Sequence, residues 1–205
     1  MVKPYHTVWS VINRNAMKRI IIKTDKTTWF TQGFKLLSVK GAGGLTIENL
    51  TQSLKKTKGS FYHHFKNRDD YSRQLLEQWE QSQAIEIIRD SEQEKTPEAI
   101  NQTLVTLSEK SMDPKTEVAI RAWALRDPLA REFQERIDTR RVDFLRSLFS
   151  LMTADKDKVK LFSLIRYCFY IGSHQIIPAM DEKTYKQHLT ALMEMFKHTI
   201  ERNTP

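Results

Sequence analysis

The stretch that decides the fold begins Thr46-Ile47-Glu48-Asn49-Leu50, passes through Lys55-Lys56, and closes on Thr57-Lys58-Gly59-Ser60-Phe61-Tyr62-His63-His64-Phe65-Lys66. The Thr46 hydroxyl can accept a hydrogen bond from the backbone amide of Asn49 and so start a short helix, whose apolar side is Ile47, Leu50 and Leu54. Lys55-Lys56 then reads as a tight turn. A second short helix starts near Thr57, with Phe61 and Phe65 one turn apart on its inner side and Lys58, Ser60, Tyr62, His63 and Lys66 left for the outside. Two short helices joined by a turn of about three to four residues make a helix-turn-helix.

Upstream, Phe30, Phe34 and Leu37 recur at helical spacing and predict a first helix, capped by Asp25 or Thr27 and stopped by Gly41. Residues 1–24 carry Lys3, Arg14, Lys18, Arg19 and Lys23 without an amphipathic period, so a flexible basic arm is expected there, with Met17 as an alternative start of translation. Downstream, Asn67 with Asp70 resembles a capping box and opens one long helix through Tyr71, Leu75, Leu76, Trp79, Ile85 and Ile88. The polar segment 90–97 is the expected break. Beyond it come the stripe Ile100, Leu104, Leu107, a helix over 118–125, and a longer one announced by Asp127-Pro128 and carrying Phe133, Ile137, Phe144, Leu145 and Leu148. The last two helices, about 157–176 and 182–200, are the most apolar. With 6 Gly, 6 Pro and no alternating strand pattern, the fold expected is all-α. A three-helix helix-turn-helix domain over 25–70 precedes a helical bundle over 71–205.

Charge separates the same two parts. Residues 1–68 hold 13 Lys/Arg against Asp25 and Glu48, whereas the remainder holds 20 against 23 acids. Such asymmetry is the footprint of a module for a polyanion joined to a body with another task. Mean hydropathy is −0.55, and no run approaches the ~20 apolar residues a membrane span needs. The single Cys168 and the lack of a secretory signal point to the cytoplasm, where Cys168 is expected to be buried and inert. No phosphate loop, nucleophile elbow or HExxH pair occurs, so neither an enzyme nor a cofactor is expected. His63 and His64 point about 100° apart on a helix and cannot chelate one ion unaided. His174, His188 and His198 have no carboxylate or cysteine at ligand spacing beside them, so no metal site is expected either.

The string from Thr46 to Leu50 with that from Thr57 to Asp70 resembles the signature of the tetracycline-repressor (TetR/AcrR) family, closely over residues 28–80 and beyond them only in helix count and length. The resemblance implies a DNA-binding transcriptional regulator, with double-stranded operator DNA as partner. The second helix of the motif would lie in the major groove, where its N-terminal residues meet base edges. Lys58 could bond guanine, Gly59 would permit close approach, and Ser60 could bond a base or phosphate, while Thr57 and His63 flank them. By resemblance Thr46, Tyr62 and Lys66 would hold the sugar-phosphate backbone. A surface aromatic and a solvated lysine are the plainer readings of Tyr62 and Lys66. One departure falls in the turn, where Lys55 and Lys56 replace a glycine and a buried aliphatic.

In such a fold the two terminal helices are expected to form a homodimer interface through Phe162, Phe169, Gly172, Tyr185, Leu189, Leu192 and Phe196, though Gly172 could equally be an internal packing site. The middle helices would enclose an effector pocket lined by Trp79, Trp123, Phe133, Tyr167, Tyr170 and His174, aromatics that ordinary core packing also explains. Arg121, Arg140 or Arg166 could recruit an acidic ligand. The family implies a repressor released by a small molecule through a population shift. An architectural or cell-division protein using the same head without an effector is the rival reading.

Overall fold

Helices follow one another through residues 26–111 and 113–202, which are the residues the computed structural model describes, and no strand occurs among them. The chain divides into two compact units, one ending at Leu75 and one beginning at Leu76. That division falls inside the fourth helix, five residues beyond the expected boundary at residue 70. The basic arm and Asp25 lie outside the described residues.

In the first unit, α1 covers residues 26–40, so Thr27 stands inside the helix rather than at its cap. Gly41 ends it at φ +63° and ψ −169°, an extended positive-φ conformation that glycine adopts readily, with its amide still reaching the Leu37 carbonyl at 2.9 Å. A 3₁₀ turn, Ala42–Gly44, leads into α2, Ile47–Leu54, and α3, Lys58–His64. The core between these helices is aromatic. Trp29 meets Phe61 edge-on at 5.5 Å, Phe61 meets Phe65 at 5.1 Å, and Phe65 meets Tyr71 at 4.9 Å. All four are buried, and offset or edge-on pairs of this kind add to what their burial contributes. The Tyr71 hydroxyl crosses to the Trp29 carbonyl at 2.9 Å and fills the space over Gly33, where any Cβ would collide with it.

α4, Arg68–Glu80, starts as Asn67 and Asp70 predict, with the Asn67 side chain accepting from the Asp70 amide at 2.8 Å. The single long helix expected here is interrupted. Residues Gln81–Ile85 form a π-helical segment before α5, Glu86–Ser91. A π segment adds a residue to the turn and shifts the ladder, a distortion no apolar period reveals. α6, Pro97–Ser111, follows the predicted break. α7, Pro114–Ala124, begins four residues before the expected start because Asp113-Pro114 repeats the signal read at Asp127-Pro128, the Asp113 carboxylate accepting from the Lys115 amide.

α8, Pro128–Ser150, α9, Lys156–Gln175, and α10, Glu182–Glu201, complete the second unit. With α6 they form the core of the unit, where Ile100 of α6 packs with Phe144, Leu145, Leu148 and Tyr167, Val105 of α6 with Tyr185 and Leu189, and Phe149 with Phe162 and Phe196. Arg136 clamps the end of α4 to α8, its guanidinium meeting both Glu80 oxygens at 3.1 and 2.7 Å. No described helix is long and apolar enough to cross a membrane.

Candidate nucleic-acid interface

The two helices of the motif are each fixed by a threonine. Thr46 Oγ1 accepts from the Asn49 amide at 3.1 Å and Thr57 Oγ1 from the Ser60 amide at 3.2 Å. Between them Lys55 takes the left-handed conformation, φ 52° and ψ 40°, and the amides of Lys55 and Lys56 close the turn on the carbonyls of Gln52 and Thr51. The turn therefore has the geometry a glycine would give, imposed on a lysine. Arg68 locks the assembly from below, donating from Nε to the Leu45 carbonyl at 2.8 Å.

This framework sorts α3 into two faces. Phe61 is fully buried, as is Phe65 just past the helix end, whereas Lys58, Gly59, Tyr62, His63 and Lys66 are exposed and Ser60 half-buried. The expected outward residues are thus solvent-facing, with Thr57 exposed at the helix start. Sequence reasoning missed Glu48: from α2 it accepts from Lys58 Nζ at 2.5 Å, both side chains being well exposed. That hydrogen bond, with the opposite charge behind it, holds Glu48 below the usual carboxylate range and raises Lys58. Two residues ten apart on different helices leave no sequence signal of such a pairing. Gly59 is equally informative, since an added Cβ would meet only Thr57 Oγ1 at an ordinary 3.7 Å. Nothing within the unit requires a glycine there.

No family model matches the sequence, and no curated protein matches it. Solved structures do match. The chain is similar to a transcriptional regulator from Rhodococcus sp. Rha1, with a TM-score of 0.67 at 12% identity over 88% of this chain and 99% of that one. It is similar to the ketosteroid transcriptional regulator of Mycobacterium tuberculosis, with a TM-score of 0.63 at 16% identity over 85% and 94%. A TetR/AcrR-family regulator of Aquifex aeolicus VF5 gives 0.59 at 20% over 88% and 99%. The chain has the TetR fold.

Within the second unit of this TetR fold, the residues expected to line one pocket separate. Trp79, Trp123 and Phe133 are buried core. Tyr167 and Tyr170 do line a cavity of about 40 Å³, together with Gln83, Ile87, Leu104, Arg141, Phe144 and Arg166. Tyr170 and His174 line an adjoining hollow of about 50 Å³, which shares Gln83, Ser108, Tyr170 and Tyr185 with the first. Burial pushes the Tyr170 hydroxyl up to about 12 and lowers His174, so the imidazole is neutral at pH 7.

Beside the cavity lies a charged network that the sequence did not announce. Arg141 holds Glu117 at 2.8 Å and the Gln83 carbonyl of the π segment at 3.1 Å. Arg121 grips Asp138 through both terminal nitrogens, at 3.0 and 2.8 Å, and the Tyr167 hydroxyl donates to the same carboxylate at 2.7 Å. Burial alone would raise Glu117, but Arg141 and then Arg121 hold it below its usual value.

The residues expected at the dimer interface also divide. Phe162, Tyr185, Leu189 and Phe196 are buried within their own unit, Phe162 stacking on Phe196 at 4.4 Å, and Phe169 stacks on Tyr185 at 5.5 Å. Leu192 packs against the same cluster as Phe196. Facing outward on α9 instead are Leu161 and Leu164, each more than half exposed, with Ile165 and an exposed Cys168. Cys168 is thus on the surface, contrary to expectation, because Tyr167 and Phe169 take the inward positions on either side of it. A Cβ at Gly172 would meet open space, so nothing inside the unit demands glycine there.

Proposed function

We propose that the chain is a sequence-specific DNA-binding transcriptional regulator, a homodimeric repressor that a small molecule releases from a palindromic operator. The observation that carries this reading is the outward face of α3. Lys58, Tyr62 and His63 on α3, and Lys66 just past its end, are exposed beside the half-buried Ser60 and a glycine that no internal contact requires. A helix presenting such a face fits the major groove, with Gly59 where DNA must come close, Lys58 and Ser60 on base edges, and Thr46, Thr57, Tyr62 and Lys66 on phosphates. The compared structures of transcriptional regulators support the same reading through their fold. Residues 25–70 then serve DNA, residues 71–205 serve the effector and dimerisation, and the protein works in the cytoplasm on the nucleoid.

The apolar stripe of Leu161, Leu164 and Ile165, continued by Gly172, supports dimerisation across α9. An exposed helical stripe is covered well by its twofold copy, and glycine lets the copies approach. The pair of cavities supports an effector site. Residue Lys58 supplies the test: a competition gel shift on DNA flanking the protein's own gene, near physiological salt with excess random DNA. A discrete complex that Lys58→Ala abolishes is expected. Diffuse binding that random DNA removes would instead favour an architectural protein.

A further inference from the structure

Arg166 is almost fully buried, at 3% exposure, and lines the cavity of about 40 Å³. Its Nε has no hydrogen-bond partner. Among the described residues no carboxylate pairs with its guanidinium; the ion pairs of this region join Arg121 and Arg141 to Glu117 and Asp138. Those two carboxylates and two guanidiniums are neutral taken together, so the Arg166 charge is the uncompensated one. A buried unpaired guanidinium is costly, and a ligand anion removes that cost with charge-assisted hydrogen bonds.

The rest of the lining says what the anion must carry. Ile87, Leu104, Val105, Phe144 and Leu145 make an apolar wall, with tyrosine rings at one side. A second ligand charge would meet no further uncompensated cation there, because Arg141 is already engaged by Glu117, and a sugar would set most of its hydroxyls against the apolar wall. Resting on the effector site proposed above, we infer that it takes an apolar monocarboxylate, with the carboxylate on Arg166 and the hydrocarbon body against this wall. The cavity at about 40 Å³ is far smaller than such a body, which occupies a site of roughly 300 Å³ or more. Enlargement has a defined route. Tyr170 and Tyr185 line both hollows, so swinging either ring outward would join them, and the volume the ring vacates adds to both; the shortest acids need the least of it. Neutral His174, whose buried Nδ1 has no partner, then joins the enlarged wall without adding a second charge. The π segment borders the same space through Gln83.

The test is calorimetric titration of the full chain with straight-chain acids from butyrate to dodecanoate and with 4-phenylbutyrate, each beside its primary amide. At least one acid is expected to bind at least about tenfold more tightly than its amide, the difference a charge-assisted hydrogen bond supplies. Arg166→Met should abolish that preference and Arg166→Lys should keep most of it, with circular dichroism confirming that both fold. The acid-to-amide comparison in the unaltered chain holds even if a variant fails to fold. Absence of binding by every acid, equal binding of acid and amide, or a preference surviving in Arg166→Met overturns the assignment. The gel shift without added acid is read separately. Intact DNA binding with no acid binding removes only the ligand class, whereas acid binding without DNA binding removes only the regulator.

Discussion

Lys58 Nζ lies 2.5 Å from Glu48 Oε1, so the lysine proposed to read the major groove is held by a carboxylate on the neighbouring helix. Both groups are exposed, and water competes for each. Against DNA the arrangement changes meaning, because Glu48 brings negative charge toward phosphates and occupies Lys58. Glu48→Gln is therefore expected to tighten DNA binding several-fold and to steepen its salt dependence by up to about one unit. Fluorescence anisotropy across a salt series measures both. Weaker, less selective binding by Glu48→Gln would instead make Glu48 a base reader, since a carboxylate can accept from cytosine.

Lys55 pays for its place in the turn. The left-handed conformation costs an L-residue roughly 1–2 kcal/mol, and glycine escapes that cost while losing about 0.5–1 kcal/mol through its freer unfolded chain. At φ 52° the balance favours glycine, so Lys55→Gly should stabilise the protein by up to about 1 kcal/mol. Urea unfolding should show a higher midpoint at unchanged slope, and Lys56→Gly should show no gain. A lower midpoint for Lys55→Gly would mean that the lysine side chain holds the turn in a way its backbone angles do not show.

The exposed stripe on α9 predicts a self-association defect. Leu164 is 53% exposed and flanked by Leu161, Ile165 and Cys168. Leu164→Glu places two like charges at a twofold contact, and the sedimentation coefficient should fall to that of a monomer, with near-normal helicity by circular dichroism. Phe162 is a poor probe of the same interface, because Phe162→Ala would empty its own core and cost about 3–5 kcal/mol. A dimer that survives Leu164→Glu would remove α9 from the interface.

Local signals were legible in the sequence and long-range ones were not. Thr46, Thr57, Asn67 and Asp127 each act within three residues of themselves, so the helix starts they mark follow from chemistry alone. The inward face of α9 could not be read that way. Phe162 and Tyr167 are buried and Leu161 and Leu164 exposed, and large apolar residues on both sides of a helix leave its direction unread. Trp79, Trp123 and Phe133 looked as suitable for a pocket as Tyr167 did, because aromatic spacing does not tell core from cavity. Glu117 and Arg141 escaped notice for the opposite reason, charged residues being mostly exposed. Their pairing links residues 24 apart on two helices, a relation only the folded chain contains.

That buried pair gives the protein a defined response to acid. Burial would raise both Glu117 and Asp138, but Arg141 and Arg121 for the first, and Arg121 for the second, leave both below their ordinary values. Carboxylates with folded values below the unfolded ones, about 4.3 for Glu and 3.9 for Asp, stabilise the fold fully above about pH 5 and lose that contribution as pH falls through the folded values. Thermal stability should therefore fall modestly below about pH 6.5, where His174 takes up its proton more readily in the unfolded chain, and decline steeply below about pH 4 as the two carboxylates protonate. Glu117→Gln should unfold more easily already at pH 7, by about 3–5 kcal/mol, since it leaves the buried Arg141 charge without its carboxylate. Its stability should also vary less with pH than that of the unaltered chain. Replacing both partners together, Glu117→Leu with Arg141→Met, should recover most of the loss by removing the orphaned charge. If Glu117→Gln proves as stable as the unaltered chain at pH 7, the network is not what holds α7 to α8.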